Sequence, residues 1–369
     1  MTQFADVLET PKNELVAKAM DQGAVPIGYT CSMVPEAMLS VDKLLPLRVR
    51  APGISGTESA DVYLGSTTCS YVRSVLEYAM DDRYDFVEGW VFVASCDHLR
   101  RLHDNIEYLL KPKFNHILDV PHKKTPQAVD WLIEEFEALR KALAQHFDVA
   151  VDNDALIAAI SEYNEFVELL KSIGDLRKSP NPSLTGTEFQ EVMLAAVTSP
   201  RKMITDALKR YKEEIATRNS PIDSRARFMI LGGHINDPGL VEVIESQGGL
   251  VVADRVCTGS IPALSTIDED KDPIVALAEH TMVKADCPRM MDFDGRLQRT
   301  LDVIEEYHVD GVVIETIKFC DTWSLEATEV VKRLRDRDIP VLRLEREYRL
   351  SGEGQIRTRV QAFLESMGK

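Results

Sequence analysis

The chain has 369 residues, 44% of them hydrophobic and 28% charged, an ordinary globular composition and a length beyond which one hydrophobic core stops growing, so two domains are expected. A formal net charge of -17 at pH 7 repels phosphate backbones and anionic lipid, and no basic run offsets it, which argues against nucleic acid and membrane surfaces as partners. No apolar run approaches the roughly 18 residues of a membrane span, and residues 1–12 lack the basic start and apolar stretch of a secretory signal, so a cytoplasmic location is expected.

Taken in chain order, the runs Val25 to Thr30, Leu47 to Arg50, Gly89 to Ser95 and His116 to Val120 are short, apolar and rich in β-branched or aromatic residues, as strands are. Between them, Pro35 to Leu45 and Ser70 to Asp81 carry helical spacing. Strands alternating with helices predict a parallel sheet covered by helices, residues 1–124. From Thr125 the periodicity is helical and no strand is credible, so 125–220 is read as a helical linking segment whose charges lie on solvated faces. Strand-like runs return at Arg227 to Gly233, Leu250 to Asp254, Gly311 to Glu315 and Pro340 to Glu345, with helices expected at Asp302 to Val309 and Ser324 to Arg335. Residues 221–369 thus form a second unit on the same plan. The fold class is α/β: two Rossmann-like lobes with parallel sheets flanked by helices, and a ligand cleft where the strand ends face each other.

The cysteines are Cys31, Cys69, Cys96, Cys257, Cys287 and Cys320. In a reducing compartment they are core filler, catalytic thiols or metal ligands rather than disulfides. Three share a position in the architecture. Cys96 and Cys320 each follow a strand, precede an Asp and introduce a helix; Cys69 precedes Ser70 at another helix start. A helix N-terminus should lower a thiol pKa and favour metal ligation or nucleophilic attack. Core filler needs no such position and a nucleophile needs one cysteine, so an iron–sulfur cluster is the economical reading. The spacing is unlike a compact ferredoxin run or a zinc CxxC pair, so the ligands would meet only after folding.

The stretches IGYTCSMVPEAML, TTCSYVRSVLEYA, VFVASCDHLRRL, GGLVVADRVCTGS, GVVIETIKFCDTW and LEREYRLSGEGQIRTRVQAFLE occur in this order, and through them the chain resembles the 2-hydroxyacyl-CoA dehydratases and ATP-dependent benzoyl-CoA reductases. The resemblance implies a 4Fe-4S cluster between the lobes, held by the cysteines matching Cys69, Cys96 and Cys320 and leaving one iron open to an acyl-CoA thioester. It implies delivery of single low-potential electrons, with ring reduction or loss of water as the outcome. The implied partners are a related second subunit, giving a heterodimer, or a further copy of this chain. A separate ATP-hydrolysing iron–sulfur activator is also implied; no GxxxxGK[ST] loop occurs here. Cys31, Cys257 and Cys287 have possible counterparts in a double-cubane branch of the superfamily, a reductase of small molecules with an 8Fe cluster. A non-catalytic electron-relay subunit is the third alternative.

Two histidines are candidate catalytic groups. His98, after Cys96, is read as a proton donor or a neighbour of a helix cap, and His234 sits in a turn after a strand, placed for substrate contact. Arg289, Arg343 and Arg346 could meet coenzyme A phosphates, and lobe-to-lobe ion pairs account for them equally.

Overall fold

The computed structural model describes residues 2–218, 222–284 and 286–369. The first lobe comprises Ala5–Leu8 (α1), Glu14–Asp21 (α2), Val25–Tyr29 (β1), Leu44–Arg48 (β2), Ser70–Met80 (α3), Gly89–Val93 (β3), Asp97–Leu110 (α4) and Asn115–Leu118 (β4). Four helices follow: Pro126–Phe147 (α5), Asn153–Gly174 (α6), Gly186–Thr198 (α7) and Arg201–Thr217 (α8). The second lobe contains Ala226–Leu231 (β5), Gly239–Glu245 (α9), Gly249–Arg255 (β6), Pro273–Lys284 (α10), Phe293–Glu306 (α11), Gly311–Ile317 (β7), Asp321–Arg335 (α12), Val341–Arg346 (β8) and Glu353–Ser366 (α13). The expected boundary between linking segment and second lobe falls at 220/221, outside the described residues.

Both sheets are parallel, ordered β2-β1-β3-β4 and β6-β5-β7-β8. In each lobe the order is second, first, third, fourth, so the shared plan read from the sequence extends to topology. Every residue of β2, β3, β6 and β7 is buried. Parallel strands covered on both faces need apolar residues at every position, which is why the sequence shows continuous runs there and no alternation. Local signals fix the helix starts: Thr125 caps α5 with Pro126 in its first turn, and Thr185 with Glu188 closes a capping box on α7.

The helical segment is no tether. One core joins Ile27, Val91 and Leu118 of the first sheet to Leu132 and Phe136 of α5, Val167 of α6, Val192 of α7 and Leu208 of α8, and continues into Ile274 and Leu277 of α10. Each such side chain contributes about 1.5–3 kcal/mol by leaving water.

Three expectations need correcting. Pro35 to Leu45 is not a helix: it holds one 3-10 turn, Met38–Ser40, and Asp42 turns left-handed at φ 55. Its apolar residues Ala37, Met38, Leu39 and Val41 are buried all the same, so periodicity there recorded burial rather than helix. Second, β2 starts at Leu44 and runs through Pro46, ahead of the expected Leu47. An edge strand tolerates proline because one side of its backbone has no ladder partner. Third, α11 begins at Phe293 and stops before His308, which is left-handed at φ 51.

The loop after β1 is clamped to α8. Tyr29 donates its hydroxyl to Glu36 Oε2 at 2.8 Å, Arg201 pairs with Glu36, and Arg201 Nη1 donates to Ser40 Oγ at 3.0 Å. Burial works to raise the Glu36 pKa, but Arg201 and Lys284 hold it below the ordinary carboxylate value. With the folded value below the unfolded one of about 4.3, the stabilisation is complete above that pH and is lost as pH falls through the folded value. Glu36→Gln should flatten this part of the acid-unfolding profile. Glu36→Ala, which leaves partly buried Arg201 without its carboxylate and with only Ser40 as a side-chain acceptor, should cost about 1–3 kcal/mol in denaturant unfolding near neutral pH.

Candidate functional site

Parallel strands send all their outgoing loops to one edge, and those loops carry the cysteines. Cys31 follows β1, Cys96 follows β3, Cys257 follows β6 and Cys320 follows β7; Cys69 precedes α3, and Cys287 lies between α10 and α11. In an order of second, first, third, fourth, the direction in which successive strands are added reverses between the first and third strands, and there α/β sheets open the crevice that holds ligands. Cys31 and Cys96 flank that point in the first lobe. In the second lobe it is flanked by Gly232, Gly233 and His234 after β5 and by Cys320 after β7.

The two crevices face each other. Ser32 Oγ donates to Cys257 O at 3.0 Å, Arg289 Nη2 donates to Ala94 O at 3.0 Å, Arg48 Nη2 stands 3.4 Å from His234 Nδ1, and Tyr348 N donates to Ser70 Oγ at 2.7 Å. Each contact joins one lobe to the other.

Cys69, Cys96 and Cys320 are the N-cap residues of α3, α4 and α12. None closes a side-chain cap hydrogen bond, yet the amides of Tyr71 and Val72 face the Cys69 sulfur, those of His98 and Leu99 face Cys96, and that of Trp323 faces Cys320, each drawing the thiol pKa down. Burial outweighs them. It pushes Cys96 up to about 11 and also raises Cys69 and Cys320. The expectation that a helix N-terminus leaves these thiols with depressed pKa is therefore overturned: desolvation of a thiolate costs more than the exposed amides return. Thiols raised in this way, Cys69 buried and Cys96 and Cys320 half-buried, are poor nucleophiles, and a positively charged metal would supply the missing counter-charge.

Phe319, just before Cys320, is left-handed at φ 65. For a bulky residue that conformation costs about 1–2 kcal/mol, and the chain retains it where it turns Cys320 out of β7.

All six cysteines are free. Their charges interact: Cys69 senses Cys96 and Cys320; Cys96 senses Cys320 and Cys31; Cys257 senses Cys31 and Cys320; Cys287 senses Cys257, Cys31 and Cys320. The set divides into two triads, Cys69 with Cys96 and Cys320, and Cys31 with Cys257 and Cys287. Cys31 and Cys320 have neighbours in both. Among the described residues no three His, Cys, Asp or Glu side chains are gathered closely enough to hold a single metal ion. A polynuclear centre, whose metals each take their own ligand, spreads its thiolates farther apart than a mononuclear site with sulfur at about 2.3 Å from one ion.

The two histidines take different places. His98 Nδ1 accepts the Cys69 N–H at 3.3 Å, so it ties the cap of α3 to the first turn of α4. The His234 ring stacks on Tyr71 at 4.0 Å between centroids and faces Arg48. Burial, then Arg48 and Arg346, pushes its pKa well below the ordinary range, so the imidazole is neutral. Arg346 is buried on Glu315, with Nε to Oε2 at 3.0 Å, and donates to His234 O at 2.7 Å. Arg289 and Arg346 are thus internal to the fold, and neither is a surface partner for coenzyme A. Arg48 went unnoticed in the sequence; its signal was a cation closing a strand otherwise buried at every position.

Glu315 is wholly buried, and its Oε1 accepts Gly233 N at 3.0 Å. A Cβ on Gly232 would stand 2.5 Å from Glu315 Cγ, so only glycine lets the β5 loop approach β7 this closely. Two cavities of roughly 290 and 330 Å³, one beside Glu36 and Arg201, the other beside Arg177 and Tyr307, lie outside the cleft and are lined by none of the cysteines.

Comparison with known proteins places the chain among acyl-CoA dehydratase and reductase subunits in sequence. The chain is similar to the (R)-phenyllactyl-CoA dehydratase beta subunit of Clostridium sporogenes, 23% identical over 99% of this chain and 97% of that one. It is similar to the (R)-2-hydroxyglutaryl-CoA dehydratase beta subunit of Acidaminococcus fermentans, 22% identical over 99% and 98%. It is also similar to a benzoyl-CoA reductase subunit of Thauera aromatica, 23% identical over 88% of this chain and 86% of that one. Residues 31–367 match the sequence model of the 2-hydroxyglutaryl-CoA dehydratase D-component, a span that includes every cysteine and all of the described elements from β2 to α13, and the chain belongs to that family.

Proposed function

We propose that this chain is an iron–sulfur subunit of an acyl-CoA dehydratase or reductase, holding a 4Fe-4S cluster through Cys69, Cys96 and Cys320. The observation that carries the reading is the convergence of free thiols from both lobes on one cleft, three of them at helix N-caps with backbone amides turned toward sulfur. The donor set suits the group, since thiolates are the ligands of such clusters and hydrogen bonds to sulfur tune them. When bound, the cluster supplies single low-potential electrons and an open iron for a thioester oxygen.

The chain's own residues hold and shield that centre. Amides of Tyr71, Val72, His98, Leu99 and Trp323 stabilise thiolate charge, while His98 fixes the distance between two of the caps. Buried Tyr71 of the first lobe stacks on neutral His234 of the second, and buried Trp323 belongs to the core against which Cys320 packs. The substrate is an acyl-CoA thioester. The catalytic unit is made whole by a related second subunit, in line with the naming of the relatives as single subunits of their enzymes, and a separate ATP-hydrolysing iron–sulfur activator supplies the electron.

The second triad favours one further reading. Cys31, Cys257 and Cys287 interact as the first three do, which is the arrangement a double-cubane cluster of about eight irons would use, with small molecules as substrates.

Iron analysis of anaerobically reconstituted protein separates the readings. The 4Fe-4S reading expects about four irons per chain, lost in Cys69→Ala, Cys96→Ala and Cys320→Ala and kept in Cys31→Ala, Cys257→Ala and Cys287→Ala. The larger cluster expects about twice the iron and sensitivity at all six positions. An iron-free wild type, or variants that all keep its iron, would sink both. At His98, Asn retains an acceptor for the Cys69 amide and Leu does not. His98→Asn should hold iron against a chelator as the wild type does, and His98→Leu should release it faster; equal release would show that the tie has no positioning role.

A further inference from the structure

Seven arginines are buried among the described residues: Arg48, Arg50, Arg177, Arg255, Arg289, Arg296 and Arg346. Four of them sit on carboxylates: Arg177 on Asp254, Arg255 on Asp286, Arg296 on Glu326 and Arg346 on Glu315. Arg50 spends its guanidinium on backbone carbonyls of Leu8 and Asn236. Arg48 and Arg289, 4% and 5% exposed, have no carboxylate partner among the described residues, and the Nε of each lacks any hydrogen-bond acceptor. A buried charge left this way costs several kcal/mol unless something offsets it.

Both lie against the cysteine loops. Arg48 Nη1 donates to Ser32 Oγ at 3.1 Å, and that hydroxyl donates onward to Cys257 O at 3.0 Å, so one guanidinium reaches the loops of Cys31 and Cys257. Arg289 stands two residues from Cys287; its Nη2 meets Ala94 O at 3.0 Å, two residues before Cys96, and its Nη1 lies 3.9 Å from Met33 Sδ, two residues after Cys31. The groups that act on their charge are Tyr71, Tyr29, Cys31 and Cys257 at Arg48, whose guanidinium also lies over the Tyr29 ring, and Cys31, Cys287, Asp119 and Cys96 at Arg289. With no carboxylate within ion-pair reach among the described residues, the thiolates are the anions closest to hand.

We infer that Arg48 and Arg289 are the counter-charges of the cysteine-bound centre, two fixed cations that offset its negative charge and raise its reduction potential. The inference rests on the iron–sulfur reading and deepens it. Unlike the cap amides, which answer single sulfurs of the first triad, the arginines answer the second triad and Cys96. Reduction adds an electron next to a fixed positive charge, so removing that charge destabilises the reduced form and lowers the potential.

The test uses the anaerobically reconstituted full chain and the variants Arg48→Gln, Arg48→Lys, Arg289→Gln and Arg289→Lys, with iron content and the midpoint potential from an EPR-monitored titration as readouts. Each Gln variant should shift the one-electron equilibrium about tenfold toward the oxidised form, about 59 mV downward, or lose iron outright, and each Lys variant should stay near the wild type. A wild type without iron would overturn the iron–sulfur reading itself. An iron-loaded wild type whose Gln variants keep the same iron and potential would overturn the counter-charge role alone. Equal losses in the Gln and Lys variants would also overturn it, because they would mark the shape of the side chain rather than its charge.

Discussion

A parallel sheet has one edge at which every strand ends, and that constraint organises the rest of this molecule. Two lobes with the same strand order turn those edges toward each other, as the Ser32 to Cys257, Arg289 to Ala94 and Ser70 to Tyr348 contacts show. Cys31, Cys96, Cys257 and Cys320, far apart in the chain, reach that edge because each lies two or three positions past a strand end, while Cys69 and Cys287 come in on the longer connections that follow β2 and β6. Cysteines placed there need no local motif to come together. The cost is that their loops are buried between lobes, where every polar group needs a partner.

That burial decides the chemistry of the cleft. Backbone amides at three helix starts favour thiolates, desolvation opposes them, and desolvation is the larger effect at Cys69, Cys96 and Cys320. A hydrolase-type nucleophile would need the opposite balance. Thiols that ionise readily only beside a strong positive charge suit a metal-binding role, and the same low dielectric that penalises a lone thiolate strengthens its attraction to a cation. Neutral His234, stacked on Tyr71 and facing Arg48, adds no charge of its own.

Much of the fold was legible because buried parallel strands write continuous apolar runs: the runs at Gly89, Arg227, Leu250 and Gly311 each lie on a strand of the structure. The helix starts at Cys96 and Cys320 were legible for a similar reason, as strand, turn and helix follow one another within a few residues, and that at Cys69 through the helical spacing from Ser70 onward. What escaped depends on tertiary context. Pro46 argues against a strand unless the strand is known to be an edge, and the buried loop from Pro35 to Leu45 carries helical spacing without helical backbone. Arg48 in isolation resembles any surface cation; its lack of a carboxylate appears only when both lobes are in place. Left-handed Phe319 follows no glycine-like signal at all.

The lobes are also held together by groups other than the cysteines. Tyr348, after β8, donates its amide to Ser70 Oγ, while its hydroxyl accepts from Ala51 N at 2.8 Å and Asn236 Nδ2 at 3.2 Å; Arg50 Nη1 reaches Asn236 O at 3.2 Å. These bonds place the first turn of α3, the segment after β2 and the loop after β5 in fixed relation without any sulfur taking part. A centre shared by two lobes binds more tightly when the lobes are already in position, because little conformational entropy is lost on binding. The same rigidity keeps the cleft from rearranging to give Arg48 and Arg289 a carboxylate, so their buried positive charge favours thiolates over thiols in the loops beside them. On this view the apolar cores and the Tyr348 network maintain a site that is electrostatically incomplete by itself, which is the condition under which a buried metal centre gains affinity from its surroundings as well as from its ligands.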